Sequence, residues 1–162
     1  MDRGSDFITM LGTGNALVTR CYNTCFTLHS VMGALLLVDA GGGNGILRQL
    51  EKAGIRHADV RDLFVTHAHT DHITGIVWVL RAMGRYFRDD AERVLDIYGH
   101  EESIALIKAV ADGMLSAIGR PYDWQGGRIR LHALRSGDKF SACGMEFTAF
   151  DLGSAQKLQF GF

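Results

Sequence analysis

Three histidines and an aspartate (His67, His69, Asp71 and His72) fall within six consecutive positions of the stretch Phe64-Val65-Thr66-His67-Ala68-His69-Thr70-Asp71-His72. Imidazole nitrogens and carboxylate oxygens are the donors of a zinc site that keeps a position for water, whereas a closed structural site more often recruits thiolates. No cysteine lies near this run. In an extended segment His67 and His69, two positions apart, project the same way, which suits two nitrogens on one ion. Asp71 and His72 follow where the chain must turn into a helix, which aims them at a neighbouring position. The plain alternative is a surface loop with fortuitous histidines. It accounts for a single histidine far better than for four ligand-type side chains in this order.

The elements that must position these residues are legible on either side. Leu63 to Val65 is a short apolar run that reads as a buried strand leading into the loop. Beyond it, Ile73, Ile76, Val77, Leu80, Gly84 and Phe87 recur at helical spacing and should bury one face. Arg81, Arg85 and Arg88 occupy an adjacent stripe. They are either a phosphate-binding face or, the reading preferred on sequence, a solvated flank paired with Asp89, Asp90 or Glu92. Upstream, Phe7 to Leu11 reads as a first strand, broken by Gly12-Thr13-Gly14. That break reads as a turn, because the Lys-Ser/Thr ending of a phosphate-binding loop is missing. Thr24 to His29 and Ala34 to Asp39 read as further strands. Asp39 stands at a strand end before three glycines, where an aspartate can also simply form a turn. Asn44 is the expected N-cap of a helix running to Lys52, with Gly54 just past its end.

Downstream, Val94 to Tyr98 reads as a strand and His100-Glu101-Glu102 as the opening of another helix. Residues 115–127, with Pro121, read as an irregular connection. Arg128 to Leu134, Lys139 to Ala142 and Met145 to Phe150 alternate as strands, the last two joined as a hairpin through Cys143-Gly144. His29, His57, His100 and His132 have no ligand-type sequence neighbours and read as ordinary histidines.

A chain of 162 residues forms one domain at most and is long enough to bury a core. A net charge of −1 offers no broad basic field for nucleic acid. No apolar run approaches a membrane span, and no charged-then-apolar leader is apparent, so no membrane association is expected. Three cysteines without Cys-x-x-Cys spacing argue against a disulfide framework and fit a reducing cytoplasm, the expected location.

The order H-x-H-x-D-H after an apolar strand resembles the signature of the metallo-β-lactamase-fold hydrolases. Leu11 to Ala16 followed by Arg20 to Cys25 resembles the opening of the ribonuclease Z-like branch, and Leu36 to Gly41 resembles that superfamily's strand ending in Asp-x-Gly. The resemblance implies an α/β (α+β) fold, an αββα sandwich with a di-metal site at one edge. Two zinc ions are expected, with manganese or iron as alternatives. His67 and His69 would hold the first ion. His72 would hold the second, together with Asp71 as ligand and proton acceptor. Asp39 would orient the ligands from behind. The implied activity is metal-dependent hydrolysis of a phosphodiester by an activated water, on RNA (such as tRNA 3′ ends) or on a small cyclic phosphodiester.

The chain departs from that pattern in one loop and in length. Where the superfamily carries a third histidine for the first ion, the matching loop Phe150 to Ser154 offers Gly153. The later aspartate and final histidine would fall beyond Phe162. Residues 1–162 are therefore expected to form a single domain truncated at its C-terminus, the N-terminal half to two-thirds of the sandwich. Its open sheet would be covered by further chain or by a homodimer partner. The alternative function is a catalytically degenerate metal- or partner-binding module of the same fold.

Overall fold

A computed structural model describes residues 4–115 and 127–162. The chain begins with strands β1 (Phe7–Gly12), β2 (Cys25–His29) and β3 (Leu35–Val38), followed by helix α1 (Gly45–Lys52) and a 3-10 turn at His57–Asp59. Strand β4 (Asp62–Val65), helix α2 (Thr70–Asp89), strand β5 (Leu95–His100), helix α3 (Glu101–Leu115) and strand β6 (Ile129–Leu134) come next. Four short strands close the chain: β7 (Lys139–Ala142), β8 (Met145–Thr148), β9 (Phe150–Asp151) and β10 (Phe160–Gly161).

Strands β1 to β6 form one sheet in sequence order. The first three pair antiparallel, whereas β3 to β6 run parallel and are joined through α1, α2 and α3. Parallel neighbours need long crossovers of one hand, so all three helices land on the same face. The burial pattern records this. Leu37, Leu63, Val65, Leu95 and Ile97 join Ile46, Leu50, Ile76, Leu80, Met83 and Ile107 in one core. The alternate residues of the same strands, Leu36, Val38, Phe64 and Tyr98, join Phe140, Ala142 and Phe160 in a second core on the opposite face. Strands β3 and β4 are buried on both faces, which explains why they read as unbroken apolar runs.

The second face is covered unevenly. The β7–β8 hairpin lies over it, turning through Cys143 (φ 46°) and Gly144 (φ 79°), the double left-handed conformation of a tight hairpin. Strand β10 pairs with β9 and docks where the Phe160 N–H donates to the Thr66 carbonyl at 2.9 Å. Over β1 no described residue completes the cover: Ile8 is 58% and Met10 51% exposed. The described residues thus form a helical layer, a complete sheet and two short pieces of a further β layer.

Most expected elements recur with boundaries shifted by a residue or two, and some details differ. Asn44 is the residue before α1 but makes no side-chain cap, because it is already helical (φ −66°, ψ −12°) and the turn begins one residue earlier, at Gly43. The 3-10 turn at His57–Asp59 carries no periodic signal and went unforeseen. Arg81 and Arg85 have no acidic partner among the described residues; Asp90 instead pairs with Arg93, and Arg88 lies outside the described side chains. His132 does have an acidic neighbour, Asp96 Oδ1 at 2.7 Å, supplied across the sheet by β5. Residues 116–126, including Pro121, lie outside the described residues. Among the described residues no helix is long and apolar enough to cross a membrane.

Candidate metal centre

Three segments meet at the carboxyl edge of the parallel strands. Strand β3 ends in Asp39, whose N–H still donates to the Phe64 carbonyl of β4 before the chain turns at φ 56°. Aspartate is among the few non-glycine residues that accept that conformation. Strand β4 runs into Thr66 to His69, and α2 begins at Thr70. Asp71 lies in the first turn of α2, where a negative charge suits the helix dipole. His69 occupies the residue before that helix, and its side chain makes no cap.

The helix is held against Asp39 by close backbone approach. The Ala40 N–H donates to the His72 carbonyl and the Gly75 N–H to the Gly41 carbonyl, both at 2.9 Å. A β-carbon on Gly75 would sit 1.8 Å from the Ala40 oxygen, so only glycine permits this contact. The glycine loop is braced from the other side. The Tyr22 hydroxyl bridges the carbonyls of Ala40 (2.8 Å) and Gly43 (3.0 Å), and Asn23 Oδ1 accepts from the Gly42 N–H at 3.1 Å. Gly12-Thr13-Gly14 is not the expected turn: β1 runs through Gly12 with an irregular register after Met10, Gly14 bridges to Asn23, and the chain turns only at Ala16 and Leu17. The N–H groups of Thr13 and Gly14 both donate to the Tyr22 carbonyl, so neither is offered to an anion.

Asp39 is the hub of the site. It is buried, and its Oδ1 accepts the Thr66 N–H at 2.9 Å. Its Oδ2 accepts the Thr66 hydroxyl at 2.7 Å and His72 Nδ1 at 2.6 Å. A hydroxyl has one proton, and Thr66 spends it on Asp39. The contact between Thr66 Oγ1 and His67 Nδ1 (2.9 Å) must therefore be Nδ1–H donating to oxygen. The consequence is a defined tautomer: His67 Nε2 carries a lone pair, and it faces His69 Nδ1 at 3.0 Å. By the same reasoning His72 gives its Nδ1 proton to Asp39, which leaves Nε2 3.4 Å from Asp71 Oδ2. The two pairs adjoin, since the rings of His67 and His72 stand 4.1 Å apart.

Burial and the neighbouring His72 depress the His67 pKa to about 4, so this ring is neutral near pH 7. At His72 burial also opposes protonation, but the hydrogen bond to Asp39 and the charges of Asp39 and Asp71 outweigh it and raise the pKa.

The structure thus brings His67, His69, Asp71 and His72 together and joins Asp39 to them. The donors occur as two pairs. Among the described residues no three His, Cys, Asp or Glu side chains form a ready-made cage for a metal ion. The donor chemistry suits divalent cations, with each pair supplying half of a tetrahedral set. Gly153 sits in an exposed turn at φ 67°, with nothing within 4 Å of where a β-carbon would stand. Thr66, Tyr22 and Asn23 were not foreseen. Thr66 precedes the first histidine and could have been suspected on that ground, whereas the two braces act across at least 18 residues and leave no local signal.

Residues 7–152 match the family described as "Anti-Pycsar protein Apyc1". The chain belongs to this family. Members of the Apyc1 family are not its only relatives. Ribonuclease Z of Pyrococcus abyssi is 38% identical over 101 residues, covering 62% of this chain and 31% of that protein. Among solved structures, a diphosphatase from the PhnP family superimposes with a TM-score of 0.73 at 17% identity, over 96% of this chain and 61% of the other. The metallo-β-lactamase fold protein YhfI from Bacillus subtilis does so with a TM-score of 0.66 at 17% identity, over 96% and 56%. The expected metallo-β-lactamase fold and ribonuclease Z-like kinship are both shown. The chain spans about a third of the length of the curated relatives it matches.

Proposed function

We propose that this Apyc1-family chain carries the metal-binding part of a hydrolase that cleaves phosphodiesters. The observation that carries this reading is the Asp39 hub, which sets both His67 and His72 in the tautomers that present Nε2 lone pairs. His67 and His69 would hold one divalent ion and Asp71 and His72 another, zinc by the nitrogen-rich donor set. Ions bound there would supply polarisation of a water molecule and of a phosphoryl oxygen. The protein's own contribution is orientation. Asp39 keeps the His72 ring in place and, through Thr66, the His67 ring. Asp71, 3.4 Å from His72, is the carboxylate that would take a proton. Kinship with ribonuclease Z points to RNA or a small phosphodiester as substrate. Residues 1–162 are read as belonging to one domain.

The test is hydrolysis of bis(p-nitrophenyl) phosphate with zinc or manganese. Turnover is expected, and His69→Ala is expected to abolish it. Turnover unaffected by that substitution would refute the assignment. Gly153 supports a second reading, a degenerate metal-binding or partner-binding module. That reading predicts no turnover, with a single ion that a mild chelator removes.

A further inference from the structure

The outer face of α2 presents a second set of residues with its own chemistry. Trp78, Arg81, Ala82, Arg85 and Tyr86 recur at the spacing of one helical stripe, and with Leu47 and His57 they line a groove of about 280 Å³. Trp78 is 38% exposed, and Arg81 and Arg85 are also exposed. Like charges four residues apart on a helix repel. Neither guanidinium has an acidic partner among the described residues to offset that. His57 is fixed by Nε2 to the Leu47 carbonyl at 3.0 Å, with Glu51 Oε1 at 3.6 Å. The groove therefore combines an accessible indole, a phenol ring and two unneutralised planar cations, near the lower end of ligand-pocket volumes (~300–1,000 Å³). Arg81 lies nine residues beyond His72, about 14 Å along the helix axis and roughly half a turn around it, so the groove is separate from the histidine loop.

We propose that this groove binds a nucleoside phosphate, its base stacked on Trp78 and its phosphate held by Arg81 and Arg85. Arginine pairs favour phosphate through parallel N–H donors, and an exposed indole stacks any base. The anion also relieves the repulsion between the two guanidinium groups. A free nucleotide and a nucleotide within RNA share this chemistry.

Trp78 supplies the readout, in a Trp124→Phe background that removes the other tryptophan. AMP is expected to quench Trp78 emission saturably, with a Kd below about 1 mM. Arg81→Gln with Arg85→Gln should weaken that binding by about tenfold or more while leaving the circular dichroism unchanged. His67→Ala should leave the titration as it was. A short oligoribonucleotide that binds more tightly than AMP, with the same dependence on both arginines, identifies RNA as the source; equal affinity identifies the free nucleotide. No quenching, quenching indifferent to both arginines, or loss of quenching in His67→Ala would overturn the proposal. None of these readouts depends on hydrolysis or on a metal.

Discussion

The chemistry of this chain turns on how one carboxylate distributes two oxygens. Asp39 takes the Thr66 N–H, the Thr66 hydroxyl and His72 Nδ1, which turns His67 Nε2 towards His69 and His72 Nε2 towards Asp71. Asp39→Asn keeps the shape but removes the charge and one acceptor, and is expected to weaken zinc affinity by about 10–100-fold. Competition against a zinc indicator measures this, and unchanged affinity would mean that Asp39 serves the backbone turn alone. The acid stability of the metal-free protein offers a second check. The folded pKa of His67, about 4, lies below the unperturbed 6.5, so between these values the unfolded chain takes up a proton that the folded chain refuses. Stability is therefore lost as pH falls through that window. His72 acts oppositely: its raised pKa gives stabilisation that is complete below 6.5 and is lost as pH rises through the folded value. His67→Gln should flatten the fall in Tm on the acid side, measured in chelator. A slope identical to that of the unmodified chain would place the titration elsewhere.

At the scale of elements, the site depends on α2 lying directly against the turn after β3. Gly75→Ala forces a β-carbon into the Ala40 carbonyl and is expected to cost on the order of 3 kcal/mol, because both partners are backbone and neither can swing aside. Chemical denaturation checks this; a loss below about 0.5 kcal/mol would show that α2 can shift without cost. Much of this frame was legible in the sequence. The apolar runs of β3 and β4, the helical periodicity of α2 and the imidazole spacing are all local signals. What escaped was long-range or depended on rotamers. Tyr22 and Asn23 act through glycines about twenty positions away, and Asn44 lost its capping role because its own backbone is helical. Arg85 had Asp89 within helical reach, yet its guanidinium group remains with Arg81 at an aromatic groove. Proximity in sequence sets which pairs can meet, and not which do.

At the scale of the molecule, the described residues complete one sheet and its helical layer but only part of the opposing β layer. Ile8 and Met10 leave apolar surface open above β1. Natural proteins seldom leave such a face bare beside an edge strand. The isolated chain is therefore expected to run as a dimer in size-exclusion chromatography with light scattering, and Ile8→Ser with Met10→Ser should shift it towards 17.8 kDa. A monomer that binds no apolar dye before any substitution would contradict this.

Isothermal titration with zinc shows whether the histidine loop grips divalent cations in two adjoining half-sites. Two binding events are expected: the one assigned to the imidazole pair lost in His67→Ala, the other lost in His72→Ala. Absence of zinc uptake, or an isotherm that neither substitution alters, would contradict it.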